Sequence, residues 1–566
     1  TLYVTNAANN DVAVIALGAK QGDDKVQGLI PTAWYPTALV LSNNGQELDV
    51  LNAKGLGAGP NPNGPNPYGP NTYGPPDQYV GSMIVGTLSQ IAVPNATQLE
   101  TYTNKVVANN GFNEGDKIRV SGTPQTTVIP LHPGDPTPIK HVIYVIKENR
   151  TFDQELGSLG QGNGDPSLNL FGNESAPNAR ALAKQFVTLD NFYSDAEVSA
   201  DGWNWATGAL ANSYVQHAWP QNYGGQNRPY DFEGGNLATS PGTDPTDAFI
   251  WNKLSDAGIS YRNYGFRVFG GQYDASGKLV GATVAGNPST EPRLLANTDL
   301  NYAGYDLSKP DSFAHMFDNV INTATGKPYG TQPTRIAEWL KEFNQYETNG
   351  NLPTVEFVRL PNDHTNTDTP GSPTPRAYVA DNDYALGQLV QAVSQSKDWG
   401  STAIFVIEDD AQEGPDHVDA HRTVAQVISP YTQTGKVDST FYSQVSVLRT
   451  IEQIVGLAPM TQFDAAATPM LNSFTDTPNM KTYTAIVPTQ NVQETNPVPG
   501  PHFSMYASLA DSATAVDQNE SLENLGLWAS VHGYHSQMPA PQSNLHLDGP
   551  AIPVASNSPD QNGQGD

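Results

Sequence analysis

Three short apolar runs constrain this chain most: Val142-Ile143-Tyr144-Val145-Ile146, Val355-Glu356-Phe357-Val358 and Ala403-Ile404-Phe405-Val406-Ile407. Runs of this length, rich in β-branched and aromatic residues, read as strands. The near-continuous apolarity of the first and third means that both faces of their sheet are covered, as in a largely parallel sheet. Helical spacing follows them. Leu386, Leu389, Val390 and Val393 share one helix face, with Asp381-Asn382-Asp383 as the expected cap, and Val447, Ile451, Ile454 and Val455 share another that stops at Gly456. Strands alternating with helices predict an α/β fold from about residue 138.

The first 130 residues follow another pattern. Leu2-Tyr3-Val4-Thr5-Asn6-Ala7 recurs as Leu48-Asp49-Val50-Leu51-Asn52-Ala53, an offset of 46 residues, close to the length of one propeller blade. Val12-Ala13-Val14-Ile15 and Ala38-Leu39-Val40-Leu41 read as strands between the copies, and Asn43-Asn44-Gly45 as a hairpin turn. Residues 1–55 resemble one blade of a YVTN-type β-propeller, with part of a second at 86–93 beyond a Gly/Pro-rich insertion at 55–80. A ring needs about four to eight blades. These strands are therefore expected to come from incomplete propeller blades, the rest being missing or removed, or else to dock elsewhere.

Charge and composition exclude several functions. The 566 residues carry 28 Lys+Arg against 57 Asp+Glu, a net charge of −29, which repels a phosphate backbone, so nucleic acid is not expected as a partner. With no Cys, thiol catalysis, disulfides and thiolate metal sites are closed, and any metal must be held by oxygen and imidazole. No apolar stretch approaches the ~18 residues of a membrane span. Few Lys and many Asn, Thr, Gly and Pro suit a secreted or periplasmic bacterial protein.

Each apolar run leads into residue types that bind metals: Lys147-Glu148-Asn149-Arg150, Asn362-Asp363-His364 and Glu408-Asp409-Asp410. Ligands bind outside the carboxyl ends of parallel strands, so the three clusters are expected at one rim. Asp416-His417-Val418-Asp419-Ala420-His421 comes next, and its two histidines would share a face if the segment were helical. Taken singly, each cluster also reads as ordinary turn chemistry.

Glu148-Asn149-Arg150-Thr151-Phe152-Asp153 resembles the Glu-Asn-Arg-Ser/Thr-Phe-Asp opening of the phosphoesterase family, which contains bacterial phospholipases C and an acid phosphatase and lies in the alkaline phosphatase superfamily. Asp409-Asp410 followed by Asp416-His417-Val418, and the segment 446–452, match further features over about residues 138–470. The resemblance implies an alkaline-phosphatase-like sandwich with a mostly parallel central sheet, and a metal centre drawn from Glu148, Asn149, Asp409 and Asp410. It also implies a hydroxyl nucleophile on a loop opening a helix. Ser199 fits, with Asp201 or Thr207 as alternatives. Asp363 and His421 would serve a second metal site, and His364 and His417 would join them or protonate the leaving group. Arg150, Arg228 and Arg262 are candidates for stabilising phosphoryl charge. The aromatic residues Trp203, Trp205, Tyr214, Trp219, Tyr223 and Tyr230 read either as a rim for a lipid or aryl leaving group or as packing.

The expected activity is hydrolysis of phosphate monoesters through a metal-activated serine. The alternatives are a phospholipase C-like phosphodiesterase and an extracellular scaffold or filament protein that retains the esterase fold. Zinc is the favoured divalent ion, with manganese, iron or calcium open. Expected partners are a small phosphorylated substrate and, at free strand edges, a second copy of the chain or the missing blades. The expected domains are partial blades at 1–130, a phosphoesterase domain at 131–470, and a polar extension at 471–566 with a helical part at 503–530 and a flexible tail.

Overall fold

All three apolar runs enter one five-stranded sheet. In the computed structural model, which describes residues 1–20, 22–58, 84–112, 122–124, 126–223, 232–233, 249–268, 271–273, 279–282, 292–322, 325–366, 369–411, 414–496, 528 and 531–532, the N-terminal strands are β1 (Leu2–Asn6), β2 (Asp11–Ala16), β3 (Lys25–Pro31), β4 (Trp34–Ser42), β5 (Glu47–Gly55) and β6 (Thr87–Ala92). The central sheet comprises β7 (His141–Lys147), β8 (Tyr261–Tyr264), β9 (Val355–Leu360), β10 (Thr402–Glu408) and β11 (Ala425–Ile428). Its order is β8-β9-β7-β10-β11, parallel except for β11 at the edge. Leu360 of β9 and Glu408 of β10 both lie opposite Lys147 of β7. The three carboxyl ends are therefore level, and strand order reverses at β7, where the crevice of such a sheet forms.

Alternate side chains of β7 point to opposite faces, and both faces are packed. Tyr144 and Ile146 belong to a core with Trp203, Trp251 and Leu448, while Ile143 and Val145 belong to one with Trp339, Leu386 and Leu389. Helices Ser199–Gly208, Ile250–Asp256 and Gln444–Val455 supply the first core, and Pro177–Gln185, Arg335–Asn349 and Pro375–Ser394 the second. The fold is an α/β sandwich with a mixed, mostly parallel central sheet. Helix Gln444–Val455 ends at Gly456 with φ 81°, the left-handed cap that glycine permits.

One cap differs from expectation. Helix Pro375–Ser394 starts at Pro375, with the Thr374 side chain accepting from the Ala377 amide, and Ala377, Tyr378 and Val379 of its first turns are buried in two smaller cores rather than against the sheet. Asp381 and Asp383 lie buried inside this helix and bond neighbouring segments instead. Asp381 accepts from the amides of Asp311, Ser312 and Phe313, and Asp383 from those of Asn178 and Ala179 in the first turn of helix Pro177–Gln185.

The N-terminal strands form two antiparallel sheets, β1-β2-β3 and β4-β5-β6, so residues 1–55 are shared between two sheets and the strand near 86–93 joins β5. The repeat copies occupy an edge (β1) and a centre (β5). Pro31 ends β3 and the register of β4 shifts around Pro36, since proline cannot donate to a ladder. The expected helical part at 503–530, apart from Trp528, and the C-terminal tail lie outside the described residues. Residues 471–496 run along the sandwich, with Tyr483 buried in the second core. Among the described residues no helix is long and apolar enough to cross a membrane.

Candidate active site

Because β7, β9 and β10 end level, the segments that follow them meet. Asn149 Nδ2 donates to Asp410 Oδ1 at 3.0 Å, and Ser199 Oγ donates to Asp410 Oδ2 at 2.8 Å. Asp409 turns back, its Oδ1 accepting from the Asp410 amide at 3.0 Å. All four residues are buried. Ser199 opens helix Ser199–Gly208, and that helix approaches the end of β10 through Gly202, where a Cβ would run into the Asp409 carbonyl oxygen. Gln444 Nε2 and Ser194 Oγ donate to the same carbonyl.

Electrostatics here favour a cation. Burial pushes the Asp409 carboxyl well above its ordinary range, and the charges of Asp410 and Glu148 add to the rise. Asn149 Oδ1 and Asp409 Oδ2 are buried with no hydrogen-bond donor, a costly state for an oxygen acceptor. Carboxylate, amide and hydroxyl oxygens together match the donor set of a hard divalent ion. The residues present therefore fit a metal at Asn149, Asp409, Asp410 and Ser199.

Glu148 stands beside this group. Arg359 Nε donates to Glu148 Oε1 at 2.7 Å, its Nη2 reaches the same oxygen, and its Nη1 donates to Glu233 Oε2 at 2.8 Å. The guanidinium lies over the Trp203 and Tyr305 rings. Burial raises Glu148 to about 8, although Arg359 works against the rise. Alternation along β9 places Arg359 on the Trp203 side with Phe357, which is why it reaches this rim.

Other expected site residues are placed elsewhere. Asp363 Oδ1 accepts from the Glu148 amide at 3.1 Å, but its Oδ2 is bonded to Lys147 Nζ at 3.0 Å, an ammonium also shared with Glu408 and Glu155. Arg150 Nη2 donates to the His364 carbonyl at 2.8 Å, and the His364 ring packs edge-on against Tyr305. Residues 416–421 are not helical, because the Asp416 carboxylate folds the segment back onto the Val418 and Asp419 amides. The two histidines therefore diverge. The His417 ring bonds Asp153 and Asn163, and the His421 ring bonds Asp419 and faces Glu197 at 3.8 Å.

Ser199, rather than its alternatives, is brought to the carboxylates. Asp201 accepts from the Val198 amide and from Gln216, and Thr207 bonds the Trp203 carbonyl within its own helix. Arg262 is paired with Glu342. Arg228 and Tyr230 lie outside the described residues. Trp203, Trp219 and Tyr223 are buried in cores and Trp205 packs on Phe463, which favours their packing reading. Sequence reasoning passed over Arg359, Glu233 and Lys147. For Lys147 and Arg359 the available signal was a charged residue at or near the end of a mostly apolar strand; Glu233 lies in no described strand and left none.

Comparison with solved structures finds partial resemblances. The chain is similar to a protein in the alkaline phosphatase superfamily from Vibrio parahaemolyticus (14% identity, TM-score 0.37, covering 73% of this chain and 91% of that one). It is also similar to a phosphonate monoester hydrolase from Silicibacter pomeroyi (11%, 0.32, 56% and 74%) and to a sulfatase from Pseudoalteromonas sp. (12%, 0.36, 69% and 78%). No curated protein matches by sequence. A model of the phosphoesterase family matches residues 160–458, a span that contains Ser199, Asp363, His364, Asp409, Asp410, His417 and His421, while Glu148 and Asn149 precede it and join the site through β7. That span is more than half of the chain, and the protein belongs to the phosphoesterase family of hydrolases.

Proposed function

We propose that the chain hydrolyses phosphate monoesters with Ser199 as nucleophile, beside a divalent cation held by Asn149, Asp409 and Asp410 with Glu148 adjacent. The observation that carries this reading is the Ser199 Oγ to Asp410 hydrogen bond of 2.8 Å, made beside the donorless oxygens of Asn149 and Asp409. Asp410 fixes the direction of the hydroxyl and is the acceptor for its proton. The start of helix Ser199–Gly208 favours negative charge on that oxygen. A cation bound here would lower the pKa of the serine hydroxyl and take up charge on the phosphoryl oxygens. As Oγ attacks, the serine O–P bond forms and the P–O bond to the leaving group breaks. His364, whose ring packs on Tyr305 beneath the Arg359 guanidinium that holds Glu148, is the imidazole we take to protonate the leaving oxygen. Water then cleaves the phosphoserine bond in a second in-line displacement, with net retention at phosphorus.

Zinc, manganese, iron and calcium remain the metal candidates, and the all-oxygen donor set favours the harder ions. The composition supports export from the cytoplasm. Turnover of an aryl phosphate should cease in Ser199→Ala while metal content is retained, and should cease in the natural chain on chelation. Wild-type turnover in either case removes the proposal. Matched aryl phosphate mono- and diesters distinguish phosphatase from phospholipase C-like activity.

A further inference from the structure

We infer that the N-terminal strands belong to the catalytic apparatus: Lys54, at the end of β5, is a positioning residue that fixes the loop carrying Ser199 by gripping Glu197. This rests on Ser199 being the nucleophile. Lys54 Nζ lies 2.8 Å from Glu197 Oε1 and 2.7 Å from Oε2, so a single ammonium engages both oxygens of a residue 143 positions away. The Glu197 side chain is only 6% exposed and that of Lys54 20%. Glu197 stands two residues before Ser199.

The short segment from Glu197 to Ser199 is held from several directions. The Asp201 carboxylate accepts from the Val198 amide at 3.1 Å, and His421 Nε2 faces Glu197 Oε1 at 3.8 Å while its Nδ1 is tied to Asp419 at 2.9 Å. Of these holders, Lys54 alone comes from outside the α/β sandwich. Its ammonium also sits 5.8 Å over the Tyr35 ring, whose edge meets His217 on the next helix, Ser213–Tyr223. The N-terminal sheets thus touch both the segment leading into the Ser199 helix and the helix behind it. An exposed ion pair contributes little to stability. This pair instead sets the position of a backbone on which a reacting hydroxyl depends, and a misplacement of about 1 Å there costs ~100-fold in rate.

Steady-state kinetics of the full chain with p-nitrophenyl phosphate, together with thermal melts, test the inference. Lys54→Met should lower kcat about 10- to 100-fold while KM stays within about threefold, Lys54→Arg should recover most of the loss, and Lys54→Met should add little to the loss seen in Glu197→Gln. A Lys54→Met enzyme with kcat within twofold of wild type, beside an inactive Ser199→Ala, overturns the inference and leaves the nucleophile standing. So does a lowered melting temperature with unchanged kcat, or a loss that Lys54→Arg does not recover. Activity surviving in Ser199→Ala overturns the nucleophile and this inference with it. If Lys54→Met does not fold, Glu197→Gln cuts the same contact from the other side, and unchanged kcat there is equally decisive against it.

Discussion

Acidic side chains collect in three places after the ends of β7, β9 and β10, and the places differ in where positive charge comes from. Glu155, Asp363 and Glu408 surround the Lys147 ammonium at 3.5, 3.0 and 2.9 Å. Asp153, Asp416 and His417 are laced together by Arg422, at 3.1 Å from Asp153 and 2.8 Å from Asp416. Both groups bring three ligand-type atoms within 4.8 Å of one another, so by spacing alone either is a metal site. Each, however, already contains a cation of the chain's own, seated where an ion would go. Asp409 makes no ion pair with a described Lys or Arg, but donorless buried oxygens occur in both kinds of place: Asn149 Oδ1 and Asp409 Oδ2 here, Glu155 Oε2 and Glu408 Oε2 beside Lys147. Neither carboxylate spacing nor a donorless oxygen therefore singles out one of the three places. What distinguishes the catalytic candidate is the Ser199 hydroxyl set against its carboxylate at 2.8 Å.

The sharpest way to break this comparison is to remove one carboxylate from each kind of cluster. Asp410→Asn takes away the acceptor of the Ser199 hydroxyl and a metal ligand together, and turnover should fall by at least about 10³-fold with loss of bound metal. Asp363→Asn should keep its metal stoichiometry, because its partner is Lys147. Elemental analysis of both purified variants decides the matter. Metal retained in Asp410→Asn and lost from Asp363→Asn would exchange the roles of the two sites.

The second test removes a built-in cation. Lys147→Met leaves three buried carboxylates facing one another, and breaking such a buried pairing costs about 3–5 kcal/mol. Urea denaturation should show the midpoint fall accordingly. A variant as stable as the parent would mean that Lys147 does not neutralise this cluster.

How much of this could be read beforehand follows the same division. Strands β7 and β10 were legible because continuous apolar runs have few other uses, and the rim was legible because each run ends in carboxylates. Ser199 was reached only through family resemblance and its role is a proposal, since Ser199-Ala200-Asp201-Gly202 carries no chemical signature of its own. Charge pairing was not legible. Arg359 finds Glu148 across 211 residues and Lys147 finds Glu408 across 261, and neither distance leaves a local pattern. Asp381 and Asp383 misled for a related reason. Their residue types announce caps correctly, but the backbones they bond belong to other segments.

A third expectation concerns how Ser199 is brought to β10. Gly202→Ala would push a methyl group into the Asp409 carbonyl oxygen, so the helix must move away from the carboxylates. A displacement of about 1 Å predicts a ~100-fold lower kcat with metal content retained, which separates serine placement from metal binding. Wild-type kcat in this variant would show that the close approach is dispensable.

The smallest effect asks to which kind of cluster His421 belongs. Burial opposes its charge, but the Asp419 hydrogen bond and Glu197 outweigh burial and raise the imidazole from 6.5 to about 10. A raised value means that the folded chain binds the proton more tightly than the unfolded chain does. The stability this contributes is complete below about pH 6.5 and is lost as pH climbs through about 10. A histidine ligating a metal would behave oppositely, being neutral and favoured as pH rises. Other groups titrate in the same window, Glu148 among them, so the informative quantity is the difference between wild type and His421→Asn. Melting temperatures at pH 7, 8.5 and 10 should fall more steeply for wild type than for the variant. The reverse ordering would take His421 out of the ion-pair network around Glu197 and return it to the metal.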